Sequence, residues 1–304
     1  MLLMLALAGL AYTPEPLPMG EGRFVMMYRS HPLETKQVKA RRALIVIHGA
    51  GRNADDYFPS GMAAAYLAGG LEDTIVVAPR FAGTGSRNCD DKLAPGEIGF
   101  ACSGNDWRGG GPGVGVAPVT TYDVIDELIR RFAEKKRYPQ LRHVVLMGHS
   151  AGGQFLSRYA AASKMEPPGV SIRYVISNPS SYFYLDASRP GPTEGCTGFN
   201  QWKYGMENRT GYAAAVSDEV MRKNLARRDV VYLLGEYDVT PQFGFDSTCG
   251  AMAQGPNRLK RGLDYFAYIT DRYGAKHRLV KVPNCGHNGR CMLVANEARE
   301  VLFP

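Results

Sequence analysis

Apolar residues along this chain fall into two alternating kinds of run. Short, nearly unbroken runs at 43–47, 74–78, 144–147, 174–177, 230–234 and 278–282 have the length of strands. Their continuity predicts burial on both faces of a parallel sheet. An earlier run, 23–28, reads as a further strand. Between these runs lie longer segments with helical spacing. Residues 120–136 carry Val124, Ile125, Leu128, Ile129 and Phe132 on one side, and Tyr138-Pro139 stops the pattern. Residues 257–273 do the same with Leu259, Leu263, Phe266 and Ile269, and 55–68, 154–162, 218–228 and 293–302 also read as helices. Strands that alternate with helices predict an α/β fold with a doubly wound, mostly parallel sheet.

Two stretches interrupt the alternation, 80–119 and 178–217. The first is glycine-rich, and neither has a clear period. Long irregular segments inside a compact fold are usually lids or binding loops, so both are expected to lie as excursions over the active site. Each carries one of the two tryptophans, Trp107 and Trp202, which are expected to line the substrate site.

The chain has 304 residues and 45% hydrophobic content, enough for a sizeable core. Residues 12–304 are expected to form one domain. Residues 1–11 form an apolar run of signal-peptide length, too short to span a bilayer, with small-x-small cleavage sites at Ala6-x-Ala8 and Gly9-x-Ala11 but no preceding basic residue. Six cysteines agree with export to an oxidising compartment, secreted or periplasmic. The net charge of +7 is spread along the chain and reads as a solvated surface. Nucleic acid is not an expected partner, no membrane span is expected, and the oligomeric state is not legible.

The candidate chemistry centres on Gly148-His149-Ser150-Ala151-Gly152. By chance, Gly-x-Ser-x-Gly occurs in roughly one in five chains of such length and composition, so position decides its meaning. Here it stands between a buried strand and a helix. A serine on so sharp a turn needs neighbours without side chains, and the turn lifts its hydroxyl above the sheet beside a helix N-terminus. An early turn, His48-Gly49-Ala50-Gly51-Arg52-Asn53, follows the strand at 43–47 and is where a second oxyanion donor would stand. Ala50 and Ala151 N–H are the expected donors, with Gly51 close behind. Chain order then tests the assignment. Asp238 follows the strand at 230–234 and His287 follows the strand at 278–282, which completes the order Ser, Asp, His beyond the carboxyl ends of strands. Glu236 and Asp246 are alternatives to Asp238. His277 and His143 precede their strands, at the wrong end of the sheet, and His48 is expected to brace a loop.

These segments, together with Gly286-His287 and the continuation Ala54-Asp55-Asp56-Tyr57, resemble those of secreted bacterial α/β-hydrolases: polyhydroxyalkanoate depolymerases, feruloyl esterases and poly(aspartic acid) hydrolases. The first group usually has cysteine and glutamine in the His-Gly turn, where this chain has Ala50 and Arg52. The resemblance implies a sheet of the α/β-hydrolase type and acyl hydrolysis with no cofactor or metal. The leading expectation is an exported serine hydrolase cleaving a small or polymeric carboxylic ester. Cleavage of an amide in an acidic polymer and a non-catalytic binding protein are the alternatives. Arg52 and Arg108 are the candidates to bind a substrate carboxylate. Cys285 and Cys291 are near enough, with Gly286, Asn288 and Gly289 between them, to form a clasp around His287. Cys89–Cys102 and Cys196–Cys249 are then the expected remaining pairs, among many that six cysteines allow.

Overall fold

The computed structural model describes residues 12–85, 89–103, 106–241 and 244–304. The apolar start at 1–11 therefore lies outside the described residues. In chain order the strands are β1 (Glu15–Gly20), β2 (Arg23–Arg29), β3 (Arg42–Ile47), β4 (Thr74–Pro79), β5 (Pro112–Gly113), β6 (Val116–Thr120), β7 (His143–His149), β8 (Ser171–Ser177), β9 (Asp229–Gly235) and β10 (Arg278–Val282). The helices are α1 (Ala54–Leu67), α2 (Thr121–Phe132), α3 (Ala151–Ala162), α4 (Asp218–Arg227), α5 (Cys249–Met252), α6 (Arg258–Tyr273), α7 (Gly289–Val294) and α8 (Asn296–Leu302).

Eight strands form one sheet in the order β1-β2-β4-β3-β7-β8-β9-β10, and β5 and β6 pair separately as a small antiparallel ribbon. From β4 to β10 every pairing is parallel. Only the edge formed by β1 and β2 is antiparallel. The continuous apolar runs are explained by the two faces. On β3, Ala43, Ile45 and Ile47 join the core under α2, α3, α4 and α6, while Leu44 and Val46 join a second core under α1, α7 and α8. Successive side chains of a strand point to opposite faces, so a strand covered on both must be apolar throughout.

The helix at 120–136 ends as α2, with the expected apolar residues buried and a capping box at its start, where Thr120 Oγ1 accepts from Asp123 N–H and Asp123 accepts from Thr120 N–H. Three details differ from the pattern-based reading. The proline-rich segment after residue 12 contains a strand, β1, which is tolerated because it is the outermost strand and Pro16 and Pro18 need donate nothing to a neighbour beyond it. The closing helix at 293–302 is two helices, α7 and α8, separated at Ala295. The first excursion is partly ordered, with a 3-10 turn at Trp107–Gly109 and the β5–β6 ribbon. No helix among the described residues is long and apolar enough to cross a membrane.

Candidate active site

The elbow between β7 and α3 is built by close backbone approach. A β-carbon on Gly148 would lie 2.2 Å from Gly152 O, and one on Gly152 would lie 2.4 Å from Ile47 O and 2.7 Å from His48 O. Only glycine fits at either position. Ser150 sits at φ 58°, a left-handed conformation unusual for a residue with a β-carbon. Its N–H donates to Ser177 O at 2.9 Å, and its carbonyl accepts from Gln154 N–H, so the strain is held from both sides.

Ser150, His287 and Asp238 converge although they are far apart in the chain. Ser150 Oγ lies 2.9 Å from His287 Nε2, and His287 Nδ1 lies 2.7 Å from Asp238 Oδ2. A carboxylate can only accept, so Nδ1–H donates to Asp238 and Nε2 is left to accept the serine hydroxyl. Asp238 is buried, and its other oxygen faces the buried Arg258, 3.5 Å from Nη1. Arg258 Nε in turn donates to Ser180 Oγ at 2.8 Å. Asn178 joins the two loops: its Oδ1 accepts from Gly235 N–H and its Nδ2 donates to Gly286 O. The alternatives to Asp238 are engaged elsewhere, Glu236 with Lys281 and Asp246 with Tyr204 and Thr248.

Ala151 opens α3, so its N–H has no intrahelical acceptor. The facing turn closes with Arg52 N–H donating to Gly49 O at 3.1 Å, which puts Ala50 and Gly51 at its tip. His48 braces this turn from beneath. Its Nδ1 lies 2.9 Å from Gly49 O and its Nε2 accepts from Phe81 N–H at 3.0 Å. Burial lowers its pKa to about 4, so it is neutral where an exposed histidine begins to titrate. Because the folded value is depressed, the unfolded chain takes up the proton first. This contribution to stability is complete above about 6.5 and is lost as the pH falls toward 4. Thermal unfolding is therefore expected to show a melting temperature that declines from near 6.5 downward, by at most about 1.4 kcal/mol per pH unit from this group. A His48→Leu variant should start lower and decline less over that window, and an equal decline would contradict a neutral His48.

The three cysteine pairs are Cys89–Cys102 within the first excursion, Cys196–Cys249 between the second excursion and α5, and Cys285–Cys291 around His287. By the chain-entropy account so short a loop as the last contributes only about 2 kcal/mol.

The four residues expected at the substrate are engaged in other ways. Trp107 is not a substrate wall. With 2% of its surface exposed, it packs on His48, Phe81 and Phe155, beneath the turn. Its carbonyl accepts from Thr121 Oγ1. Trp202 is half-buried: its Nε1–H donates to Gly109 O and its ring stands edge-on to Phe183, so it fastens one excursion to the other. Arg52 is tied to Asp91 at 2.7 Å and donates to Ala50 O, which anchors the turn after β3 to the first excursion. Arg108 is paired with the buried Asp106, 2.6 Å away, which Lys203 also contacts at 2.7 Å. Burial pushes the Asp106 carboxyl upward, but the charges of Arg108 and Lys203 hold it below the ordinary value.

These last residues border a cavity of about 470 Å³ lined by Arg108, Gln154, Arg158, Lys203, Tyr204 and Asp246 among others. Gln154 places it one turn of α3 beyond Ser150, about 6 Å of rise. Arg158 is buried with its charge carried by Lys203 O, Arg108 O and Ser181 Oγ. Sequence reasoning missed Arg158, Lys203, Arg258 and Asn178, none of which belongs to a local motif, and it gave Tyr57, at the end of the segment that continues the His-Gly turn, no role.

The alpha/beta hydrolase family model matches residues 44–302. Two solved structures share the fold over nearly the whole chain. The poly(aspartic acid) hydrolase-1 of Sphingomonas sp. KT-1 is 21% identical, with a TM-score of 0.66 over 96% of this chain and 98% of that one. A poly(3-hydroxybutyrate) depolymerase of Bordetella parapertussis is 22% identical, with a TM-score of 0.62 over 91% of this chain and 83% of that one. No curated protein sequence matches the chain.

Proposed function

The chain belongs to the alpha/beta hydrolase family, and on that premise we propose that it is an exported serine hydrolase that cleaves a carboxylic ester through an acyl-enzyme on Ser150. One observation carries the reading: Ser150, His287 and Asp238 stand in hydrogen-bond sequence, with the serine on a strained turn at a helix N-terminus. Ser150 Oγ attacks the carbonyl carbon while His287 Nε2 takes its proton, and Asp238 stabilises the imidazolium so formed. The carbonyl oxygen becomes an oxyanion facing the N–H groups of Ala50 and Ala151, with Gly51 beside them. Collapse breaks the bond to the alkoxy group, which leaves as the alcohol with the proton from His287. A water molecule, deprotonated by His287, then releases the acid and restores Ser150. The three disulfides fit secretion or a periplasmic location.

A second reading, cleavage of an amide in an acidic polymer by the same groups, has the cavity behind it. Three cations, Arg108, Arg158 and Lys203, line the cavity with one carboxylate, Asp246, while the buried Asp106 pairs with Arg108 and Lys203, and the excess charge suits an anionic side group. A fluorophosphonate probe tests the common premise: labelling is expected at Ser150, and a folded protein that takes no label would favour a binding protein on this scaffold. A panel of short p-nitrophenyl esters, neutral polyesters and acidic peptides separates the two readings. Under the second, moderate salt slows hydrolysis of anionic substrates more than of neutral ones. Equal salt sensitivity removes it.

A further inference from the structure

Tyr57 stands where three loops meet. It lies in the first turn of α1, and its hydroxyl oxygen is 2.8 Å from Nδ1 of His149, the elbow residue beside Ser150. Gly49 packs directly against the same oxygen. The fit is close on both sides. A β-carbon would approach this oxygen to 3.0 Å from Gly49 and to 2.8 Å from Gly289, the residue that opens α7 after His287. His149 in turn packs against His287, with ring centroids 4.7 Å apart and planes 37° from parallel. One side chain therefore touches the turn that carries Ala50, the elbow, and the loop of the general base. These follow β3, β7 and β10, and β3 and β10 have three strands between them.

The proton arrangement is determined by the partners. A phenol is the better donor and an imidazole nitrogen the better acceptor, so the Tyr57 hydroxyl donates to His149 Nδ1. Burial pushes the Tyr57 hydroxyl above the usual phenol range. Burial, helped by the charges of His287 and Arg258, holds His149 well below 6.5. Both groups are neutral around neutral pH, and the direction of the bond does not change there. His149 then carries its hydrogen on Nε2, which is buried with no partner among the described residues. A lone core histidine would not be expected to leave that group unsatisfied. The Tyr57 bond and the contact with His287 are what hold the ring in place.

We propose that Tyr57 and His149 are positioning residues: a relay from Gly49, packed on the Tyr57 hydroxyl, through that hydroxyl's bond to His149 Nδ1 holds the Ala50 turn and the His287 ring in one register around Ser150. The proposal rests on the serine-hydrolase reading above. Its physical basis is the steepness of catalysis with geometry, since a misplacement of about 1 Å can cost on the order of a hundredfold in rate. The nucleophile, base and oxyanion donors stand on separate loops, and covalent continuity alone does not hold them to such tolerance.

Tyr57→Phe keeps the ring and removes the hydrogen bond to His149 and the oxygen packed on Gly49, while His149→Phe keeps a ring against His287 and removes the acceptor. Each is expected to lower kcat on a p-nitrophenyl ester by about tenfold to a hundredfold, with KM within about twofold. The rate of fluorophosphonate labelling at Ser150 should fall in parallel, because that reaction uses the same three groups. The double variant should be no slower than the worse single variant, since both break one relay. His149→Asn places a carbonyl oxygen near the position of Nδ1 and should recover part of the rate lost in His149→Phe. All rates are taken per active site titrated by the probe, so a loss of folded protein does not count as a loss of rate. Tyr57→Phe with kcat and labelling within twofold of wild type, or losses that multiply in the double variant, would overturn the relay. If wild type is labelled and only these losses are missing, the relay alone fails. If wild type takes no label, the serine-hydrolase reading fails and the relay with it.

Discussion

Ser150→Ala is expected to leave the fold intact and to lower hydrolysis by several orders of magnitude. The hydroxyl is the only part of the side chain removed, and among the described residues its hydrogen-bond partner is His287 Nε2. Alanine carries the same β-carbon at φ 58°, so backbone strain is unchanged, and stability should move by no more than about 1 kcal/mol. What survives is binding and the oxyanion donors, which in comparable triads leave a residual of about 10³–10⁴ over the reaction in water. The measurement is kcat on a p-nitrophenyl ester beside the melting temperature. Wild-type turnover in the variant would mean that another group is the nucleophile.

Asp238→Asn should be nearly as severe and for a reason particular to this site. An asparagine must turn its carbonyl oxygen toward one neighbour and its NH₂ toward the other. Arg258 lies 3.5 Å from one carboxylate oxygen and can only donate, so it claims the carbonyl. The NH₂ then faces His287 Nδ1, which must accept, and the ring hydrogen moves to Nε2. In that tautomer His287 cannot take the Ser150 proton. A drop of about 10⁴ in kcat with little change in KM is expected. Stability should fall as well, on the order of 3 kcal/mol, because Arg258 is fully buried and loses its counter-charge. If turnover fell less than tenfold, the acid would have to be another residue, and Glu236 and Asp246 would each have to give up the partners they hold.

How much of this site is legible in the sequence depends on how far apart the cooperating residues lie. The elbow is spelled locally: the conformation of Ser150 and the approach of Gly148 to Gly152 need glycines within one short motif, so the requirement leaves a readable trace. The places of Asp238 and His287 follow from chain order, because in a doubly wound sheet the loops beyond the carboxyl ends of parallel strands share one edge. The expectation of a tryptophan-lined site had no such basis. Position in a long excursion does not say whether a ring faces outward, and Trp107 faces in. Arg52 and Arg108 illustrate the same limit, since nothing in the sequence shows that each already contacts a carboxylate of the protein, Asp91 and Asp106.

The sequence by itself therefore determined the alternation of strands and helices, the parallel sheet that follows from it, the strained serine and the order of the groups around it. All of these depend on periodicity or on neighbours within a few residues. Only the tertiary structure decided that Arg258 stands behind Asp238, that Asn178 joins the loops of Asp238 and His287, that Tyr57 bridges three loops, and that Arg158 and Lys203 share a cavity with Arg108. Each pairs groups dozens of residues apart or more. An arginine that begins a helix, a tyrosine in a first turn and an asparagine after a strand look alike in sequence whether they face water or a catalytic group. Which they face depends on how the strands are ordered and how the excursions fold back over them.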